Sequence, residues 1–539
     1  MRKTLDGMTG MQTPQADAPL PPPVEKAFSR QTWMSAAGLL VATTLLSKVL
    51  GFLRDVLVAQ YFGTGEQVDA FMVAVALPVM VGGVGLALST AFIPIYRRVL
   101  VEKGSFDARS LSGAAAALTL ALSGIAMAVI IAVPAQLIGL VAPALPSTTA
   151  ALAAQLVRWL SLLTVGVNLF YILVAIYNAM EHFKVPAFSD LLSNVCVVGA
   201  LFLLSGTLGI GALALGLIGG YLVVVGVMIL PILRRRLVSF GASFWSAELR
   251  QLIVLAGPIC FIEVLSQATT VIENHNGAVV GPGAISALGF AKRLMLVVIT
   301  LLANNIARAV FPALSGLTLE RDLTEAREFF VRLIHHCLVV FVPISVFFMY
   351  FREDLIRLIY MRGAFDEISV ANTSAALLYY SMGIVPLAIV PIFTRACYAF
   401  SDSRTPLLAA LLGVVVMATL NVLLAPMFGL VGIACAASLA QLPWLALMGV
   451  VLARRFGGIE FMGLFRTSVL AVTCSAVAMS AVAGLRASGV LRAEDMAPAI
   501  LAMGFYVGAY VCVGWVLMQR DMRVLWGMVR CASGGARNG

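Results

Sequence analysis

The sequence predicts an all-α polytopic membrane protein of about fourteen transmembrane helices, arranged as two pseudo-symmetric six-helix lobes plus two C-terminal helices. Three observations predict it. The 539 residues are 61% hydrophobic and only 12% charged, which excludes a set of soluble domains. Apolar runs of about 20 residues or more recur along the chain, each long enough to cross a hydrocarbon core of roughly 30 Å as a helix. An ordered series of landmarks in the first half also returns, in the same order and at a constant offset, in the second.

The elements follow from the Gly, Pro and charged breaks between apolar runs. Spans are expected near 33–54, 69–96, 110–133, 152–179, 187–205, 209–233, 249–275, 284–312, 329–350, 369–399, 406–426, 429–453, 467–486 and 497–519. The polar, Pro-rich opening "MQTPQADAPLPPP" lacks a signal peptide's short apolar core and reads as a disordered tail. The expected division is a cytoplasmic tail over 1–31, a first lobe over 32–236, a second over 237–456, two helices over 457–520 and a second cytoplasmic tail over 521–539.

The internal repeat underlies that division. Pro186 returns as Pro406, Gly209 as Gly429, and the pair Arg234–Arg235 as Arg454–Arg455, all three at one identical offset. Earlier in the halves "AFIP" at Pro94 matches "AVFP" at Pro312, at very nearly the same offset. Six spans per half keep both halves the same way up, as parallel repeats about an axis along the membrane normal. Such duplications suit transporters that rock two lobes around a central cavity.

The net charge of +10 does not mark a nucleic-acid binder, because the basic residues gather in alternate loops. Arg97, Arg98, Lys103, Lys184, Arg404, Arg454 and Arg455 fall in one set. Loops such as "APALPSTT" and "NGAVVGPG" carry no Lys or Arg. The positive-inside rule places the bare loops outside and both termini in the cytoplasm. Two clusters dissent, Arg352, Arg357 and Arg362, then Arg486 and Arg492, and acidic neighbours accompany both. The eight cysteines are scattered without a C-x-x-C and read as packing thiols. His335 and His336 are adjacent, about 100° apart on a helix, which is poor geometry for a metal pair.

Ionisable side chains inside a span are costly and normally face a bundle interior or a wet cavity. In the first half these are Lys48, Arg54, Asp55 and Asp69; in the second, Glu263, Glu273, Lys292, Arg293, Arg308 and Arg395. Each also has a structural reading as an ion pair or a snorkelling side chain near a helix end. Cations from both halves meeting across a cavity suit a phosphate or diphosphate, so the expected cargo is an anion. The sequence carries no phosphate-binding G-x-x-x-x-G-K loop, metal-ligand cluster or nucleophile elbow. No enzyme activity and no cofactor are expected. Energy would come from an ion gradient or the membrane potential, worth about 2.3 kcal/mol per charge per 100 mV.

The stretch "SKVLGFLRDVLVAQYFGTGEQVDAFMVAVALP", with "AFIPIY", "AKRLM", "VFPALS", "MRGAF" and "RACYAFSDSRTP", resembles the MurJ (MviN) lipid II flippases. The likeness runs from about residue 35 to 455. It implies a fourteen-helix member of the multidrug/oligosaccharidyl-lipid/polysaccharide exporter superfamily in a bacterial inner membrane. The implied cargo is an undecaprenyl-diphosphate-linked peptidoglycan precursor, moved from inner to outer leaflet by alternating access among membrane lipids. By position Lys48 replaces the first arginine of the family signature, Arg54 matches the second, Asp69 the acidic residue and Arg293 the cavity arginine of the second lobe. The resemblance thus implies Ser47, Lys48, Arg54, Arg293 and Arg395 as diphosphate-binding. It implies Asp55 and Asp69 as gating acids that pair with cations when the outer side is closed.

Two departures stand out. After Leu77–Pro78 the family usually carries two arginines and an acid, where this chain has the uncharged "VMVGGVGLALSTAF". Asn421 is followed one turn later by Ala425, where some members place an acid for sodium. The alternatives are a flippase for a polyprenyl-diphosphate-linked capsule or exopolysaccharide oligosaccharide, a multidrug exporter of the same fold, and a non-transporting membrane scaffold.

Overall fold

The computed structural model describes residues 30–182, 184–234, 238–239, 245–319, 322–488, 496–519 and 522–523. Most of the two expected tails, and Arg235, Arg236, Arg321 and Arg492, lie outside them.

The first half runs α1 (Arg30–Phe62), α2 (Glu66–Glu102), α3 (Ser105–Ala132), the short α4 (Pro134–Val141), α5 (Ser147–Ala179), α6 (Lys184–Leu208) and α7 (Gly211–Arg234). The second runs α8 (Ala247–Val280), α9 (Ala284–Val298), a π-helical turn (Ile299–Ala303), α10 (Asn304–Leu319), α11 (Leu323–Tyr350) and the short α12 (Arg352–Tyr360). It continues with α13 (Glu367–Met382), α14 (Ile384–Ala399), α15 (Arg404–Phe428), α16 (Leu430–Leu439) and α17 (Gln441–Arg455). Then come α18 (Phe461–Ala487) and α19 (Met496–Leu517).

Every expected span coincides with a helix or with consecutive helices. Among the described residues twelve helical segments are long and apolar enough to cross a membrane, or thirteen with α13 and α14, bent by 44°, taken as one. The expected span near 33–54 lies in α1, a 33-residue helix outside that count. Two short helices, α4 and α12, were not expected. They begin at Pro134 and Arg352, which are offset from each other as Pro94 is from Pro312, so they hold corresponding places in the two halves.

The repeat is written into the backbone. Both ends of α3 map onto both ends of α11 at the offset of Pro94 from Pro312, and both ends of α6 map onto those of α15 at the offset of Pro186 from Pro406. Left-handed residues recur in the same register, Gly63 with Gly281, Glu181 with Ser401, and Gly209 with Gly429. Glu181 and Ser401 are the non-glycine members, with φ of 61° and 57°. Each ends its helix in the same way. His182 N–H donates to Tyr177 O and Glu181 N–H to Asn178 O; Asp402 N–H donates to Cys397 O and Ser401 N–H to Tyr398 O. That is the six-to-one plus five-to-two closure that satisfies the last carbonyls of a helix.

The last two helices dock on α11. Pro343 lies inside α11 and cannot donate to Val339 O, which a membrane would leave unsatisfied. The Tyr510 hydroxyl of α19 donates to that carbonyl at 2.8 Å, and Tyr506 donates to Pro343 O at 3.0 Å.

The two halves meet along α2 and α8. Gly82, Gly83 and Gly85 of α2 correspond, at the offset of Pro94 from Pro312, to the π-helical turn of the second half. Their missing side chains allow close packing. A Cβ on Gly85 would stand 2.4 Å from Asn168 Oδ1, which instead accepts the Gly85 N–H at 2.6 Å.

Candidate functional site

At one end of the bundle the halves are tied through α1, α2 and the segments around α12 and α13. Ala364 N–H donates to Gln60 O at 2.8 Å. Gly63 and Gly363 take left-handed conformations there, with φ of 60° and 58°. A Cβ on Gly63 would stand 2.3 Å from Ala364 O, and one on Gly363 would stand 2.3 Å from Gln60 O. The Thr64 hydroxyl donates to Ser369 Oγ at 2.7 Å, and Ser369 Oγ donates to Asp366 Oδ1 at 2.7 Å. Hydrogen bonds from the Ser369 backbone and hydroxyl hold the Asp366 carboxyl below its ordinary value.

Asp69 completes this closure. It is 1% exposed, and its two oxygens accept N–H bonds from Gly283 at 2.6 Å and Ser286 at 2.7 Å. A carboxylate of α2 therefore caps the N-terminus of α9 in the opposite half. Two backbone amides donate to it, where a cation was expected.

At the opposite end α2 meets α8 again. Arg98 Nη2 donates to Gln251 Oε1, and Lys103 Nζ pairs with Glu248.

Between these ends lies a cavity of about 310 Å³. Its polar lining includes Arg54, Tyr171, Tyr221, Glu263, Gln267 and Arg293, among apolar side chains of α2, α5 and α7. Arg54 and Arg293 come from opposite halves and converge on one atom. Asp55 Oδ1 accepts from Arg54 Nε at 3.1 Å and Nη2 at 3.0 Å, and from Arg293 Nη1 at 2.6 Å. Asp55 is 8% exposed, so this acid is buried while both guanidinium groups reach the cavity.

Arg54, Asp55 and Arg293 are thus brought together as a set. The other expected residues sit elsewhere. The Ser47 hydroxyl accepts from Asn194 Nδ2 at 3.2 Å, which ties α1 to α6. Lys48 is exposed and its charge acts on Asp190 of α6. Arg395 stands over the Phe311 ring of α10, 5.5 Å from its centre, inside the second half. Ser47, Lys48 and Arg395 are absent from the cavity lining.

The family model of the lipid II flippase MurJ matches residues 58–494. The chain belongs to the lipid II flippase MurJ family. Among curated relatives, the lipid II flippase MurJ of Burkholderia cenocepacia is 25% identical over 403 residues, 72% of this chain and 78% of that one. A probable lipid II flippase MurJ of Thermotoga maritima is 26% identical over 407 residues, 74% and 81% of the two chains. A solved lipid II flippase MurJ in an inward closed conformation superposes with a TM-score of 0.77 at 21% identity, covering 89% of this chain and 99% of that one. An inward-facing multidrug resistance MATE transporter superposes at 0.65 with 13% identity, covering 80% and 99%. The family comprises transporters, so the chain is a multi-pass membrane transporter and not an enzyme.

Of the basic residues that dissented from the loop pattern, Arg357 and Arg486 pair with acids, while Arg352 and Arg362 donate to the backbone carbonyls of Met349 and Leu358. Arg357 bonds Glu367 at 2.6 Å and Glu353 at 3.0 Å, and Arg486 bonds Asp354 at 2.9 Å. Two of the ionisable residues expected inside spans, though not in the binding site, form a further pair. Lys292 Nζ meets Glu273 Oε2 at 2.7 Å, and the Tyr380 hydroxyl donates to Glu273 Oε1 at 3.3 Å. They line a separate cavity of about 410 Å³ within the second half. Lys292 and Arg293 are adjacent on α9, so their side chains diverge by about 100° into different cavities.

Proposed function

We propose that the chain carries lipid II, the undecaprenyl-diphosphate-linked peptidoglycan precursor, from the inner to the outer leaflet of a bacterial inner membrane by alternating access. One observation carries the reading: two guanidinium groups from opposite halves share a single carboxylate oxygen at the cavity wall. Guanidinium forks match phosphate as well as carboxylate. A diphosphate offers more charge and more acceptor oxygens than Asp55, so it competes for Arg54 and Arg293 and loosens the link between the halves.

In this mechanism Asp55 and Asp69 are gates. Asp55 holds Arg293 when cargo is absent, and Asp69 locks the Gly63 end by capping α9. The Gly63 end faces outward and the Arg98 end, with both termini, faces the cytoplasm. The loops bare of Lys and Arg then lie outside, and Arg357 and Arg486 on that side are each matched by acids. Lys48 and Ser47 on α1, and Arg395 on α14, serve the diphosphate on its way to or from the cavity. Residues 32–236 and 237–456 are the rocking lobes, with 457–520 packed outside them. A cavity of about 310 Å³ is at the small end for a drug-sized ligand, so the head group enters only as the lobes separate. The membrane potential or an ion gradient drives the cycle.

The test is Arg293→Ala in cells depleted of the native protein. The variant is expected to reach the membrane in normal amount and fail to rescue growth, with lipid II accumulating on the inner leaflet. Full rescue would remove Arg293 from the site. Accumulation of a capsule-type precursor in place of lipid II would change the cargo.

A further inference from the structure

Among the described residues Glu263 is the acid of the central cavity that has no cation partner. Asp55 is held by two arginines and Glu273 by Lys292, but among the described residues no Lys or Arg nitrogen lies within 4 Å of the Glu263 carboxylate. It is half-buried on α8 and lines the same cavity as Arg54 and Arg293. A carboxylate at membrane depth is costly, and the usual compensation is a partner of opposite charge.

The position is built by close packing. A Cβ on Gly83 would stand 3.0 Å from Glu263 Cβ, so the bare backbone of α2 is what admits this side chain. Gln267 follows four residues later on the same face of α8 and lines the same cavity. The facing stretch of α2 contributes Val75, Val79, Gly82, Gly83 and Leu86 to the lining, with no charge among them. The cavity therefore presents two guanidinium groups in one place and an uncommitted carboxylate with an amide in another.

That pattern fits a cargo with both a diphosphate and a primary ammonium group. We infer that Glu263 and Gln267 bind the free amine on the stem peptide of the precursor. An ammonium has three donors and no acceptor, and Glu263 together with Gln267 Oε1 supplies acceptors for them. Discrimination comes mainly by penalty. A polyprenyl diphosphate whose glycan has no amine buries Glu263 without a partner, and lost pairing of a buried charge is a strong discriminator. The inference rests on the lipid II reading above and names the part of the cargo that α8 reads.

The experiment titrates the purified full-length protein in lipid nanodiscs with three probes: lipid II, lipid II acetylated on its peptide amine, and undecaprenyl diphosphate. The native protein is expected to bind acetylated lipid II about tenfold or more weakly than lipid II, the scale of one charge-assisted hydrogen bond. In Glu263→Gln the ratio of the two affinities falls to about one. Because each ratio compares two probes on one protein sample, a partly inactive preparation does not alter it. Equal affinities in the native protein, or an unchanged ratio in Glu263→Gln, would overturn the inference while leaving the diphosphate reading intact. Failure of the native protein to bind any of the three would overturn both.

Discussion

Replacing Asp55 by Asn removes the charge that Arg54 and Arg293 share. The Arg54 bonds lie within α1 and persist whichever way the halves are disposed, so only the 2.6 Å bond from Arg293 weighs on the balance between open and closed Gly63 ends. The side chains of Arg293 and Asp55 are 33% and 11% exposed, which sets this pair between two limits. Breaking a fully buried pair costs about 3–5 kcal/mol, whereas an exposed pair is worth about 0–1 kcal/mol. An intermediate value of about 2 kcal/mol shifts a two-state population about 30-fold. Spin labels at Tyr61 and Ile368, on either side of the seam and both exposed, report the separation by pulsed electron resonance. The parent is expected to show one short distance, and Asp55→Asn a second, longer population at the expense of the first. An unchanged distance distribution in the variant would refute the view that Asp55 holds the halves together.

The remaining predictions probe the surroundings of that link. Gly363→Ala places a Cβ against Gln60 O in a left-handed backbone, so at least about 1 kcal/mol of closure is lost and the same label pair reports opening. Asp69→Ala removes the cap of α9 at about 1–2 kcal/mol. The Gly283 and Ser286 amides should then exchange hydrogen about 5–30-fold faster. Lys292→Met leaves Glu273 without its cation and is expected to lower stability in detergent by about 2 kcal/mol, less than for a fully buried pair because Lys292 is 24% exposed. Adding Glu273→Gln should restore most of the loss, and a double variant no more stable than the single one would contradict the pairing.

The spans were legible because a bilayer imposes one rule on every segment, a helix of sufficient apolar length, and that rule is local. The repeat was legible for a related reason. Pro186 with Pro406 and Gly209 with Gly429 punctuate helices, and punctuation is readable without knowing what packs where. Even Arg54, Asp55 and Arg293 could be singled out, since a charge inside an apolar run announces itself.

What the charges face was decided by tertiary structure alone. Asp69 is 214 residues from Gly283 and 217 from Ser286, and nothing near any of them in sequence shows that a carboxylate will cap a helix of the other half. Lys292 and Arg293 are neighbours of like charge, yet one step along a helix turns them into separate cavities with separate acids. Glu263 looked like any other ionisable residue in a span, and its want of a cation became visible only when every nearby helix was in place. By itself the sequence determined where the apolar spans lie, where the chain repeats and which side chains are costly in lipid. Only the fold decided which of those costs are met by a partner, because partners are set by three-dimensional distance and a helix bundle makes distant residues neighbours.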